Sequence, residues 1–117
     1  MVQRALHTRL RPEALEAYDR LHAAVPEDLL AALADAGVRD WRIWRSGRDV
    51  FHLVDVEDYQ AMREHLRDHP ANVAWQALVT PLQSLVDDYS GDDDGLPPVW
   101  SFAEQQRAGG DGAGGVR

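Results

Sequence analysis

The chain has no cysteine among its 117 residues, which removes disulfides, thiol nucleophiles and thiolate metal sites together. With no disulfide to protect, the cytoplasm is the simplest expected address. Long apolar runs are also missing, and the opening Met-Val-Gln-Arg-Ala-Leu-His lacks the core of a signal peptide, so neither a membrane span nor a leader is expected. Positive charge is scarce. Twelve Lys and Arg stand against 20 Asp and Glu, a formal net charge of −8 with no dense basic cluster to offset it. Such a surface repels a phosphate backbone, so nucleic acid is not an expected partner. Glycine crowds only between Gly109 and Gly115, which follows no strand and opens no helix, so no phosphate cradle is expected there. No repeat at the usual solenoid periods is present. What remains is the composition of one globular domain, 44% hydrophobic and 27% charged, long enough to bury a core without staples.

Val2 to Leu10 reads as a strand, with Val2, Leu6 and Leu10 on one face and Ala5, His7 and Arg9 on the other. Arg11-Pro12-Glu13 suits the first turn of a helix running to about Val25. Pro26 interrupts that helix and Pro26-Glu27-Asp28 starts another, whose apolar residues are Leu29, Leu30, Leu33 and Ala36 and which Gly37 stops. Asp40 to Arg45 and Val50 to Val56 form a hairpin around Ser46-Gly47-Arg48-Asp49. Glu57 to His69 is helical with Tyr59, Met62 and Leu66 inward, and Pro70 closes it. Asn72 to Asp88 is a further helix carrying Trp75, Leu78, Val79, Leu82, Leu85 and Val86, bent at Pro81. Asp87 to Gly95 is a solvated acidic loop and Leu96 to Phe102 a last strand. Residues 1–103 are thus expected to form one domain and residues 104–117 a disordered tail.

This order, β-α-β-β-α-β, is the α+β split βαβ or ferredoxin-like arrangement, an antiparallel sheet with helices on one face. The other face is left bare. A bare face carrying Leu6, Leu10, Phe51 and Leu53 needs a cover, and a two-fold homodimer, a dimeric α/β barrel, supplies it. In that register His7, Arg9 and His52 face the helices.

Within the first helix Leu15, Tyr18, His22 and Val25 recur at helical spacing, which turns a phenol and an imidazole inward one turn apart. A histidine exchanges protons near neutral pH, and a tyrosine beside it donates, accepts or orients a hydrogen bond. The spacing alone is equally that of a core Tyr and a satisfied core His. His65 and His69, four apart, have a metal-capable spacing but no evident third ligand, and Asp92-Asp93-Asp94-Gly95 lacks the alternation of a calcium loop, so no metal is expected.

With Tyr18-Asp19-Arg20-Leu21-His22 the chain resembles the L-rhamnose mutarotase family, dimeric ferredoxin-like proteins that interconvert sugar anomers. The resemblance begins at Gln3 to Arg11-Pro12 and continues through Pro26-Glu27, Ala36-Gly37-Val38-Arg39-Asp40-Trp41-Arg42-Ile43-Trp44 and Asn72-Val73-Ala74-Trp75-Gln76. It closes at Val99-Trp100-Ser101-Phe102, so it spans nearly all of the chain but the tail. There are departures. Val25 stands where a tryptophan usually precedes the Pro-Glu step, and Trp41 where an aromatic, often tyrosine, is expected. A single Trp75 replaces a tryptophan pair found in some members, and His52 a smaller or apolar strand residue. Pro97-Pro98-Val99-Trp100 is similar to a branch associated with L-fucose-type sugars.

The resemblance implies a cofactor-free mutarotase of a 6-deoxyhexose, with His22 as acid/base and Tyr18 as its partner or as a hydrogen-bonding group on the sugar. A group titrating near neutrality suits a reaction that both removes and returns a proton. Trp41 and Trp75 would supply platforms for the C–H face of a pyranose, with His7, Arg9 and His52 lining the pocket. Two other readings stay open: a cofactor-free oxygenase or cyclase acting on an aromatic substrate, by analogy of fold, and a non-catalytic sugar-binding dimer.

Overall fold

The computed structural model describes residues 2–85 and 94–109. Four strands form one sheet in the order β2-β3-β1-β4, all neighbours antiparallel. Strand β1 is Val2–Leu10, β2 is Val38–Ser46, β3 is Asp49–Val56 and β4 is the short Gln83–Leu85. Helices α1 (Leu15–His22) and α2 (Glu27–Asp35) connect β1 to β2, while α3 (Tyr59–Arg67) and α4 (Pro70–Val79) connect β3 to β4. The split βαβ order therefore stands, with two helices in each crossover. Gly47, at φ 58°, turns the two-residue hairpin between β2 and β3, a conformation that glycine adopts without a Cβ penalty.

Three expectations need correction beyond the first hairpin. Pro70 opens a helix rather than closing one. It occupies the first turn of α4, where no amide hydrogen is needed, and the His69 ring accepts the Ala71 N–H at 3.1 Å as the cap. The helix expected to run to Asp88 stops at Val79; Thr80–Leu82 form a 3₁₀ turn at Pro81, and Gln83–Leu85 become the fourth strand. A proline cannot continue the amide ladder, so the chain leaves the helix there. Leu96 to Phe102, expected as that strand, is instead irregular as far as Ser101, with the Leu96 N–H on the Ala5 carbonyl of β1 at 2.7 Å. Helix α5, Phe102–Gly109, covers the start of the expected tail. Val86, the acidic loop as far as Asp93 and residues 110–117 lie outside the described residues.

The strand register decides which residues face the helices. Leu6 pairs with His52 and His7 with Phe51, and residues directly opposite in an antiparallel ladder share a face. Leu6 and Leu10 are buried under the helices, whereas Phe51 is exposed and its ring stacks on His7 with centroids 5.0 Å apart. The expected bare face therefore mixed two faces. Leu6, Thr8, Leu10, Val50, His52 and Val54 point toward the helices, and Ala5, His7, Arg9, Phe51 and Leu53 point away. The alternation within each strand was legible, but the phase of one strand against the other is set by pairing, and a one-residue shift reverses it.

Two apolar clusters hold the layers together. One gathers Leu6, Ala32, Val54, Val56, Tyr59, Met62, Leu66 and Ala71. The other gathers Leu10, Tyr18, Leu29, Val50, Trp75 and Val79. Between them, on the central rungs of β1 and β3, lie Thr8 and His52. Polar side chains interrupt the apolar floor of the sheet at that point, and a cavity lies above them.

Candidate functional site

The cavity lies between the helices and the sheet and has a volume of about 560 Å³, within the range of small-molecule sites. Tyr18 and His22 come from α1, Trp41 from β2, His52 from β3 and Trp75 from α4. Helix α1 is only eight residues long; Tyr18 packs it into the core, and an ion pair ties it to β2. Arg45 at the end of β2 donates from Nε to Asp19 Oδ1 at 2.9 Å and from Nη2 to Asp19 Oδ2 at 2.6 Å. The fork-to-carboxylate geometry sets the helix's rotation as well as its distance. The Arg45 hydrogen bonds hold the Asp19 carboxyl below its ordinary range, and Asp19 in turn raises the Arg45 guanidinium.

Tyr18 and His22 meet with ring centroids 4.2 Å apart, and the edge of His22 meets Trp75 at 5.1 Å, nearly perpendicular. The Nδ1 of His22 lies 2.9 Å from the backbone carbonyl of Tyr18. A carbonyl only accepts, so Nδ1 carries the proton and Nε2 of the neutral ring keeps a lone pair. Burial, with a smaller contribution from Asp19, pushes the Tyr18 phenol up to about 12. It stays protonated at neutral pH, and among the described residues its hydroxyl has no hydrogen-bond partner.

Trp41 and His52 meet on the cavity floor, where the indole Nε1–H donates to His52 Nδ1 at 3.1 Å. His52 Nε2 lies 3.2 Å from the Thr8 hydroxyl. His7 and Arg9 are placed differently from the other candidates. β1 borders the cavity at His7, but the His7 ring is on the opposite face, where its Nε2 is 2.9 Å from Asp49 and Arg9 is 3.5 Å from the same carboxylate oxygen. The structure thus gathers Tyr18, His22, Trp41, His52 and Trp75 around one cavity and leaves the His7 and Arg9 side chains on the open face.

Sequence reasoning passed over three amides on the wall. Asn72 is buried, donating to the Leu66 carbonyl at 3.0 Å, and Gln76 follows one turn later. Gln83 is buried opposite Leu10 on β4. Asn72 and Gln76 interrupt the inward stripe of α4 at a spacing of four, a signal that could have been read. Gln83 could not have been, because its strand was taken for helix. His65 and His69 stack at 5.5 Å, but the His69 Nδ1 lone pair is used as a helix cap, and among the described residues no group of three metal-ligating side chains forms.

A four-stranded split βαβ sheet whose helix-covered face holds two imidazoles, a phenol, two indoles and three amides defines a small-molecule site of the ferredoxin-like α+β class. The sequence matches the profile of the L-rhamnose mutarotase family over residues 3–102, and the chain belongs to that family, isomerases that interconvert sugar anomers. Among solved structures it is similar to an L-rhamnose mutarotase from Formosa agariphila, at 18% identity and a TM-score of 0.69 over 87% of this chain and 99% of that one. It is also similar to tetracenomycin F2 cyclase from Streptomyces glaucescens, a type II polyketide cyclase, at 19% identity and a TM-score of 0.57 over 87% and 97%. At these identities the likeness is one of fold. Among curated proteins none matches the chain.

Proposed function

We propose that the protein exchanges the anomers of a 6-deoxyhexose, with L-rhamnose the first sugar to test and an L-fucose-type sugar the second. The observation that carries the reading is the Tyr18–His22–Trp75 grouping on the cavity, with the His22 lone pair at Nε2 and the phenol hydroxyl unspent. In the proposed reaction Nε2 of His22 takes the proton of the anomeric hydroxyl. The C1–O bond to the ring oxygen breaks as the C1 carbonyl forms, and the ring oxygen receives a proton. Both oxygens are bonded to C1, so one imidazolium can return the proton it has just taken. Rotation about the C1–C2 bond followed by the reverse steps gives the other anomer. A phenol raised to about 12 is a poor proton source at neutral pH. Tyr18 therefore serves as a hydrogen-bond donor that orients the sugar.

The amides of Asn72, Gln76 and Gln83 beside the indole of Trp75 suit a polyol with an apolar face better than a wholly aromatic substrate. The protein would work as a homodimer packed through the open sheet face, where Phe51 and Trp44 stand exposed. Saturation-transfer NMR on L-rhamnose and L-fucose at anomeric equilibrium tests the activity, since it reads exchange without net turnover. Exchange above the spontaneous rate supports the reading. Binding without acceleration would instead make the protein a sugar-binding dimer.

A further inference from the structure

Thr8, His52 and Trp41 form a hydrogen-bonded row across three strands, β1, β3 and β2, on the floor of the cavity. The direction of one bond in the row is fixed by chemistry. An indole N–H only donates, so His52 Nδ1 must offer a lone pair and the proton of the neutral ring is on Nε2. Trp41 has a single polar group, and this bond uses it. The indole also packs beside the Leu6–Val54 cluster, whereas Tyr18 and Trp75 belong to the other cluster. The cavity lining accordingly draws Tyr18 and Trp75 from one cluster and Trp41 from beside the other.

We propose that His52 is a positioning residue acting through Trp41. By accepting the indole N–H it fixes the plane of the ring and withdraws the ring's donor from the substrate. The indole then presents an apolar wall, and the part of the substrate seated against it is a C–H edge or methyl group rather than a hydroxyl. This rests on the sugar reading and narrows it: the 6-deoxy end of the hexose lies toward Trp41, and its anomeric end toward His22.

The test separates the two ring nitrogens of His52. The carboxamide of asparagine can occupy the place of Nδ1, and that of glutamine the place of Nε2. His52→Asn therefore preserves an acceptor for Trp41, and His52→Gln removes it. The Trp41 indole N–H resonance, assigned by its loss in Trp41→Phe, reads the bond independently of activity. It is expected to keep its position in His52→Asn and move upfield in His52→Gln. For L-rhamnose exchange, His52→Gln is expected to raise KM about tenfold with kcat within about threefold, and His52→Asn to leave both near native, the pattern of lost ground-state positioning. The native protein is expected to favour L-rhamnose over L-mannose, which differs by a 6-hydroxyl, by at least about tenfold in kcat/KM, and His52→Gln to shrink that ratio. An unshifted indole in His52→Gln, a fall in kcat at constant KM, or equal treatment of the two sugars by the native protein would each overturn the proposal. If no sugar exchanges or binds while the indole still responds as described, the sugar reading fails and the His52–Trp41 bond stands on the NMR result alone.

Discussion

At the scale of the residue, His22 owes its expected role to a backbone atom. The Tyr18 carbonyl one turn earlier holds the Nδ1 proton and so leaves a lone pair on Nε2, the form a general base requires. His22→Ala is expected to lower anomer exchange by ~10² to 10⁴ while leaving the fold intact, as measured by saturation transfer together with circular dichroism. Tyr18→Phe is expected to cost less, because a phenol raised to about 12 binds without surrendering its proton. Equal losses in the two variants would make Tyr18 a proton carrier. Gly95 is constrained in a different way. It sits at φ 87°, and a Cβ there would lie 2.9 Å from the Ala5 carbonyl oxygen. Gly95→Ala is therefore expected to destabilise the protein by ~1–3 kcal/mol, read from denaturant midpoints, because neither the backbone angle nor the backbone neighbour can yield cheaply.

At the scale of the element, α1 is short and is positioned by the Asp19–Arg45 fork as much as by its apolar stripe. The folded-state carboxyl of Asp19 is lowered from its ordinary 3.8 by its hydrogen bonds to Arg45, so the pair's contribution is present above that value. It is lost as pH falls through the lowered folded-state value. Asp19→Asn is thus expected to reduce the melting temperature slightly at pH 7, with the difference from native shrinking as pH falls below the ordinary 3.8 and through the lowered folded-state value. Thermal melts of both proteins across that range measure it. Because the pair is exposed, the change in stability is small. Exchange activity is expected to fall more than stability does, since α1 carries both Tyr18 and His22.

At the scale of the whole molecule, one face of the sheet is covered by four helices and the other carries Trp44, Phe51 and Leu85 with half or nearly half of each exposed. Arg42 lies over the Trp44 ring at 5.4 Å, and His7 and Arg9 share Asp49, so the basic side chains beside these rings already have partners on this face. A second copy related by a two-fold axis would bury that surface. Phe51→Glu is expected to convert a dimer into a monomer in sedimentation or light scattering at micromolar concentration, without loss of fold. A native protein that is monomeric at that concentration would reject the assembly.

Much of this molecule could be read from residue order alone. The period of two in Val2 to Leu10 and Val50 to Val56, the turn at Gly47, and the spacing of Tyr18 and His22 are local properties, written in neighbouring residues and fixed by backbone sterics. They determined the first three strands, the split βαβ order and the polar pair on α1, but not the place of the fourth strand. Among the described residues no helix is long and apolar enough to cross a membrane. Tertiary structure decided what depends on partners distant in sequence. Whether His7 joins His52 in the site is set by the register of β1 on β3, and a single step of that register would put both on one face. Gln83 became a strand residue on the cavity wall because Pro81 ended a helix and β1 offered an unpaired edge. Trp41 reads in the sequence as one more aromatic on a strand. Only its closure onto His52, eleven residues away across a hairpin, turns its one donor inward and leaves an apolar wall.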